Sequence, residues 1–117
     1  MIFVIDDDEI MAECIARACG DFGIQTFSNA IEAMKAIASG VMPDLIFLDI
    51  LLTGPDGFTF LNELISYDDT AKIPVVVVSS LDFGGRDLSV YGVVGTLVKD
   101  KMLPREVKSY AEKYARR

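Results

Sequence analysis

Five short apolar runs set the limits on what this chain can become. They cover residues 2–5, 24–27, 45–48, 75–78 and 94–98, are rich in Val, Ile and Phe, and recur at regular intervals. Each is mostly continuous rather than alternating, which suits strands covered on both faces, as in a parallel sheet. Between the runs the apolar residues take helical spacing. Met11, Cys14, Ile15 and Ala18 form one stripe, Ile31, Met34 and Ile37 a second, and Phe58, Leu61, Leu64 and Ile65 a third. Ser28 or Asn29 can cap the second helix, Gly40 can end it, Gly57 precedes the third, and Pro104 stands where a first-turn proline belongs in the last. Strands alternating with helices imply right-handed crossovers. The expected architecture is therefore α/β: a doubly wound, five-stranded parallel sheet with helices on both faces. Gly84, Gly85 and Gly92 interrupt the stretch after the fourth run, so a fourth helix there is expected to be short or irregular.

At 117 residues the chain fits one domain, 1–117, with no repeat or linker to divide it. Half of it is apolar and a quarter charged, which excludes general disorder. The net charge of −7 is unbroken by any basic stripe, so direct nucleic-acid binding is not expected. No apolar run approaches the roughly 20 residues that span a bilayer, and the N-terminus lacks signal-peptide features; a cytoplasmic location is expected. Cys14 and Cys19 would point to different sides of one helix and read as core thiols, not a disulfide. Histidine is absent, which removes His-based triads, His-ligated zinc and histidine general bases. The basic residues Lys108, Lys113, Arg116 and Arg117 suit a solvated face at the C-terminal end of the last helix.

Open α/β sheets bind ligands outside the carboxyl ends of their strands, at the switch in strand order. The first run ends in Asp6-Asp7-Asp8, the third in Asp49, the fourth in Ser79-Ser80 and the fifth in Lys99. With strand order 2-1-3-4-5, Asp6, Asp7 and Asp49 converge. Such carboxylates repel one another and raise at least one pKa unless a cation compensates. Mg²⁺ meets that need, because it prefers oxygen ligands and keeps several waters beside one or two carboxylates. A carboxylate can also accept a phosphoryl group, with Lys99 and the Ser79 hydroxyl placed to bind its oxygens. Each residue has a plainer reading as well: Asp7 or Asp8 as a helix cap, Ser79 as a turn residue, Lys99 as a solvated lysine. Their joint arrival at strand ends is what those separate readings leave unexplained.

The stretches Phe3-Val4-Ile5-Asp6-Asp7-Asp8-Glu9, Pro43-Asp44-Leu45-Ile46-Phe47-Leu48-Asp49-Ile50, Gly54-Pro55-Asp56-Gly57, Ile73-Pro74-Val75-Val76-Val77-Val78-Ser79-Ser80 and Leu97-Val98-Lys99 span nearly the whole chain. Together they resemble the receiver domains of two-component signalling. The resemblance implies Asp49 as phosphoacceptor and Asp6 and Asp7 as Mg²⁺ carboxylates, with the backbone carbonyl of Leu51 completing the metal site. It also implies Ser79 as the switch hydroxyl and Lys99 as the conserved-type lysine. The implied phosphodonor is a histidine kinase or histidine phosphotransfer protein, with an unspecified output partner or output domain and a monomer or weak homodimer. Such a domain catalyses only its own phosphorylation and dephosphorylation. The sequence departs from the family pattern at Asp100, Thr53 and Thr96, which stand where a proline, a proline and an aromatic residue are common. A trans bond is expected before Asp100, because cis costs a non-proline residue about 2.5–4 kcal/mol.

Three alternatives are weaker. A phosphohydrolase of the haloacid-dehalogenase type needs a second Asp two residues after the nucleophile, where this chain has Leu51. A pseudo-receiver is opposed by the complete Asp6, Asp7, Asp49, Ser79 and Lys99 set. A flavodoxin-like module would meet acids where an anionic cofactor needs a phosphate loop. In receivers, the side chains two residues beyond the phosphoacceptor and the switch hydroxyl influence water attack on the acyl phosphate. Here they are Leu51 and Leu81, which cannot orient a water. A phosphoryl group on Asp49 is therefore expected to be long-lived. Decay within seconds in Mg²⁺ buffer, followed by intact mass, would refute this.

Overall fold

A computed structural model describes residues 1–50, 57–80 and 88–115. Five strands, β1 (Ile2–Ile5), β2 (Ile24–Phe27), β3 (Leu45–Asp49), β4 (Val75–Ser79) and β5 (Val93–Val98), alternate with helices α1 (Glu9–Ala18), α2 (Ala30–Ala38), α3 (Gly57–Ile65) and α4 (Pro104–Tyr114). The strands form one parallel sheet in the order β2-β1-β3-β4-β5, as the sequence leads one to expect. Side chains alternate between its two faces. Phe3, Ile5, Ile46, Leu48, Val75 and Val77 pack under α2 and α3. Ile2, Val4, Leu45, Phe47, Val76 and Val78 pack under α1 and α4. That double cover explains the unbroken apolar runs of β1, β3 and β4, which are buried throughout. The outer strands differ: β2 has Gln25 and Thr26 exposed, and β5 has Val94 and Thr96 exposed, because each has a neighbour on one side only.

The helix faces also differ from the apolar stripes in the sequence. Cys14 is exposed and only Cys19 is a core thiol, where burial pushes its pKa up to about 11. Ile31 is 49% exposed and Ile65 36%. The residues that meet the sheet are Ala12, Ile15 and Cys19 on α1, Ala30, Ala33 and Ile37 on α2, and Phe60, Leu61 and Leu64 on α3. On α2 the inward Ala30 and Ala33 let the helix approach the sheet closely, with the bulkier Ile31 turned outward.

Caps match the local chemistry. Asp8 accepts hydrogen bonds from the Ile10 and Met11 N–H groups, Asn29 accepts one from Glu32 N–H, and Pro104 begins α4. The fourth expected helix falls partly on residues 81–87, outside those described; the described part is a 3₁₀ turn, Ser89–Tyr91, closed by Gly92 at φ +79°. The bond before Asp100 is trans.

Gly57 sets how closely α3 begins beside the end of β3. Its N–H donates to Ile50 O at 3.1 Å, and a Cβ there would lie 2.6 Å from Ile50 Cα and 3.1 Å from Asp49 O. Backbone atoms cannot step aside as a flexible side chain can. Gly57→Ala is therefore expected to destabilise the fold by about 1–3 kcal/mol in urea unfolding, the usual cost of overpacking. A stability equal to wild type would show that α3 is free to shift.

Candidate functional site

The parallel register places the acids. Ile5 pairs with Leu48, so Asp6 and Asp49 emerge side by side one residue further on. Asp49 pairs with Val78, and Ser79 pairs with Val98, which sets Ser79 and Lys99 one step later along their strands. Lys99 is anchored at that point by its own N–H, which donates to Ser79 O at 2.9 Å. The next turn, closed by Lys101 N–H to Val98 O, carries the chain away and leaves the Lys99 side chain over the strand ends.

Asp6, Asp7 and Asp49 each offer a carboxylate oxygen within 4.8 Å of the others. Asp6 and Asp49 are buried, at 2% and 4% exposure, while Asp7 is exposed. Lys99 Nζ bridges the buried pair, 3.1 Å from Asp6 Oδ2 and 3.2 Å from Asp49 Oδ2. Asp6 Oδ1 accepts the Asp8 N–H at 2.9 Å. Burial raises the Asp6 pKa above its usual value, and the neighbouring Asp49 charge adds to this against the opposing Asp8 N–H and Lys99. For Lys99, burial works against its charge, but Asp6 and Asp49 together prevail and raise its pKa.

These residues fit a hard divalent cation. The donors are all carboxylate oxygens, two of the three carboxylates are buried, and Lys99 Nζ meets both buried ones. Asp6, Asp7 and Asp49 would hold the ion; Leu51, whose carbonyl the sequence suggests as a further ligand, lies outside the described residues. Chemically, the arrangement offers a carboxylate beside a fixed ammonium group, with charge enough to draw in a cation.

Of the six site residues marked by the sequence, Asp6, Asp7, Asp49, Ser79 and Lys99 come to the carboxyl edge of the sheet, and Leu51 lies outside the described residues. The open choice of cap resolves in favour of Asp8, leaving Asp7 to the cluster. Two supports escaped the sequence reading: the Asp8 N–H held by Asp6, and the close packing of Gly57 on Ile50. The glycine itself was visible, but the contact that demands it is tertiary. Thr96 is exposed on β5, and the Tyr110 ring of α4 is seated against Gly95. No helix among the described residues is long and apolar enough to cross a membrane.

The family described as response regulator receiver domain matches residues 2–108. A protein-glutamate methylesterase/protein-glutamine glutaminase of Anaeromyxobacter dehalogenans is 30% identical over 99% of this chain and 33% of its own length. The response regulator PleD of Caulobacter vibrioides is 33% identical over 72% of this chain and 19% of its own. The chain thus spans between a fifth and a third of the length of these relatives. The crystal structure of a phosphorylated cyanobacterial phytochrome response regulator, RcpA, superposes with a TM-score of 0.81 at 27% identity, covering 98% of this chain and 93% of that one. The chemotaxis protein CheY4 of Vibrio cholerae shares the fold, with a TM-score of 0.82 at 17% identity over 97% and 96% of the two chains.

A raised Asp6 pKa means that the folded state holds its proton more tightly than the unfolded chain. Stability without metal should therefore fall as pH rises from 3.8 through the Asp6 value and then level off. The Lys99 contribution is present below 10.5 and lost as pH rises beyond it. In chelator, Asp6→Asn is expected to raise the melting temperature near neutral pH, with the gain vanishing toward pH 3.8. Millimolar Mg²⁺ should raise the melting temperature of wild type and move the variant much less. Melting curves that ignore both Mg²⁺ and the substitution would show that the cluster carries no electrostatic cost.

Proposed function

This chain belongs to the response regulator receiver domain family, and on that premise we propose that it accepts a phosphoryl group onto Asp49 from a phosphohistidine partner in a Mg²⁺-dependent reaction. Receiver domains bind Mg²⁺ at an acidic pocket and take phosphate from histidine kinases or histidine phosphotransfer proteins. What carries the reading to this chain is one juxtaposition: Lys99 Nζ spans Asp6 and Asp49 while Asp7 completes a carboxylate cluster at the strand ends.

In the reaction, an Asp49 carboxylate oxygen attacks phosphorus as the bond to the donor imidazole nitrogen breaks. The electron pair stays on that nitrogen, and the product is an acyl phosphate on Asp49. Bound Mg²⁺ supplies positive charge against the transferring oxygens. Lys99, held at the end of β5 beside Asp49, would donate to the same oxygens. Ser79 ends β4 one residue past the level of Asp49, so its hydroxyl can turn to bond the phosphoryl group. This movement would shift the surface around β4 and β5 between two states and deliver the signal to an output partner or domain. Catalysis by the chain is confined to its own phosphorylation and dephosphorylation. A cytoplasmic location and a monomer or weak homodimer belong to the same reading.

Intact-mass analysis after incubation with acetyl phosphate, with and without Mg²⁺, tests the proposal directly. Wild type should gain one phosphoryl group only with Mg²⁺, and Asp49→Asn should gain none. No gain by a folded wild type would favour a receiver fold that signals without phosphorylation.

A further inference from the structure

Away from the carboxylate cluster, α2 and α3 lie side by side over the same face of the sheet, with a groove of about 390 Å³ between them. We infer that two copies of this chain associate through that groove, each laying its α2 over the α3 of the other. The inference is independent of the phosphoryl-transfer reading.

The groove is mostly apolar. Ile31, Met34, Lys35 and Ala38 are spaced three and four apart on α2 and share one face of that helix. Ala33 and Ile37 take the positions that meet the sheet, so Ile31 is left half exposed and Met34 partly so. From the other side, buried Phe60 closes the groove, and Thr59 and Glu63, one turn apart on α3, form its wall.

Charge decides the occupant. The groove is lined by one cation, Lys35 on α2, and one anion, Glu63 on α3. A uniformly basic partner meets Lys35 and a uniformly acidic one meets Glu63. The surface that suits is an apolar stripe flanked by the same two charges in reverse order, and this chain carries it. Both helices are crossovers of one hand on a parallel sheet, so they run in the same direction. A two-fold axis along the groove then sets α2 of each copy over α3 of the other. Lys35 faces Glu63 of the other copy, twice over, and Ile31 and Met34 are covered. Little opposes the exchange. Lys35 now meets Glu32 at 3.4 Å in an exposed pair, the kind that contributes little, and Glu63 makes no ion pair among the described residues. With 18 acidic and 11 basic residues, two copies repel each other in most orientations. A face whose own charges balance is where they can meet.

A groove of this size makes a small interface, so a weak dimer is expected. Sedimentation equilibrium from about 10 µM to about 1 mM covers the range that such contacts give. Wild type should show a monomer–dimer equilibrium within it. Lys35→Glu and Glu63→Lys should each weaken association about tenfold, and the double exchange should restore it to within about threefold of wild type. The two single changes move the net charge in opposite directions, so a loss in both is not an effect of overall charge. All three substitutions are on exposed positions, and far-ultraviolet circular dichroism confirms folding. A monomer at every concentration, a dimer that ignores the single changes, or a double exchange no better than the singles overturns the inference. Wild type alone supplies a second readout. In a mixture of isotope-labelled and unlabelled protein, intermolecular contacts from the Ile31 and Met34 methyls to the Thr59 methyl support the arrangement. Intermolecular contacts confined to other faces overturn it.

Discussion

Two carboxylates, Asp6 and Asp49, leave neighbouring parallel strands at the same level, both buried, and the placement of much else answers to that. Like charges so close in a medium less polar than water repel strongly. The fold sets the Lys99 ammonium group against this, brought from the far edge of the sheet and anchored through Ser79. The Asp8 N–H relieves Asp6 further, and the same Asp8 side chain starts α1. Burial still raises the Asp6 pKa, and the Asp49 charge adds a smaller push in the same direction.

The sheet supplies the rigidity this needs. β1, β3 and β4 are buried on both faces, so the acids at their ends cannot drift sideways. Gly57 lets α3 begin hard against Ile50, one residue past Asp49, which fixes the site from below. The outer strands are less constrained. β5 carries Lys99 at its end yet exposes Val94 and Thr96, and the irregular register between β4 and β5 falls in that strand pair. The constrained strands thus carry Asp6, Asp49 and Ser79 at their ends, and the less constrained β5 carries Lys99.

Much of this was legible in the sequence. The apolar runs marked all five strands, and the unbroken runs of β1, β3 and β4 announced a parallel sheet. The order β2-β1-β3-β4-β5 then brought the acids of the first and third strands together. The helix faces were less legible. Cys14, Ile31 and Ile65 looked like core residues by spacing and are exposed, because Ala12 and Ile15 on α1, Ala30 and Ala33 on α2, and Phe60, Leu61 and Leu64 on α3 take the inward positions.

The sequence by itself determined which segments are strands, which acids, hydroxyl and lysine stand at their ends, and hence where chemistry could occur. These follow from local hydropathy and from residue identity, which need no partner. Only the tertiary structure decided that Asp8 caps while Asp7 joins the cluster, and that Lys99 bridges Asp6 and Asp49. Register, helix rotation and the reach of a long side chain depend on contacts between residues far apart in the chain. A local pattern does not record them.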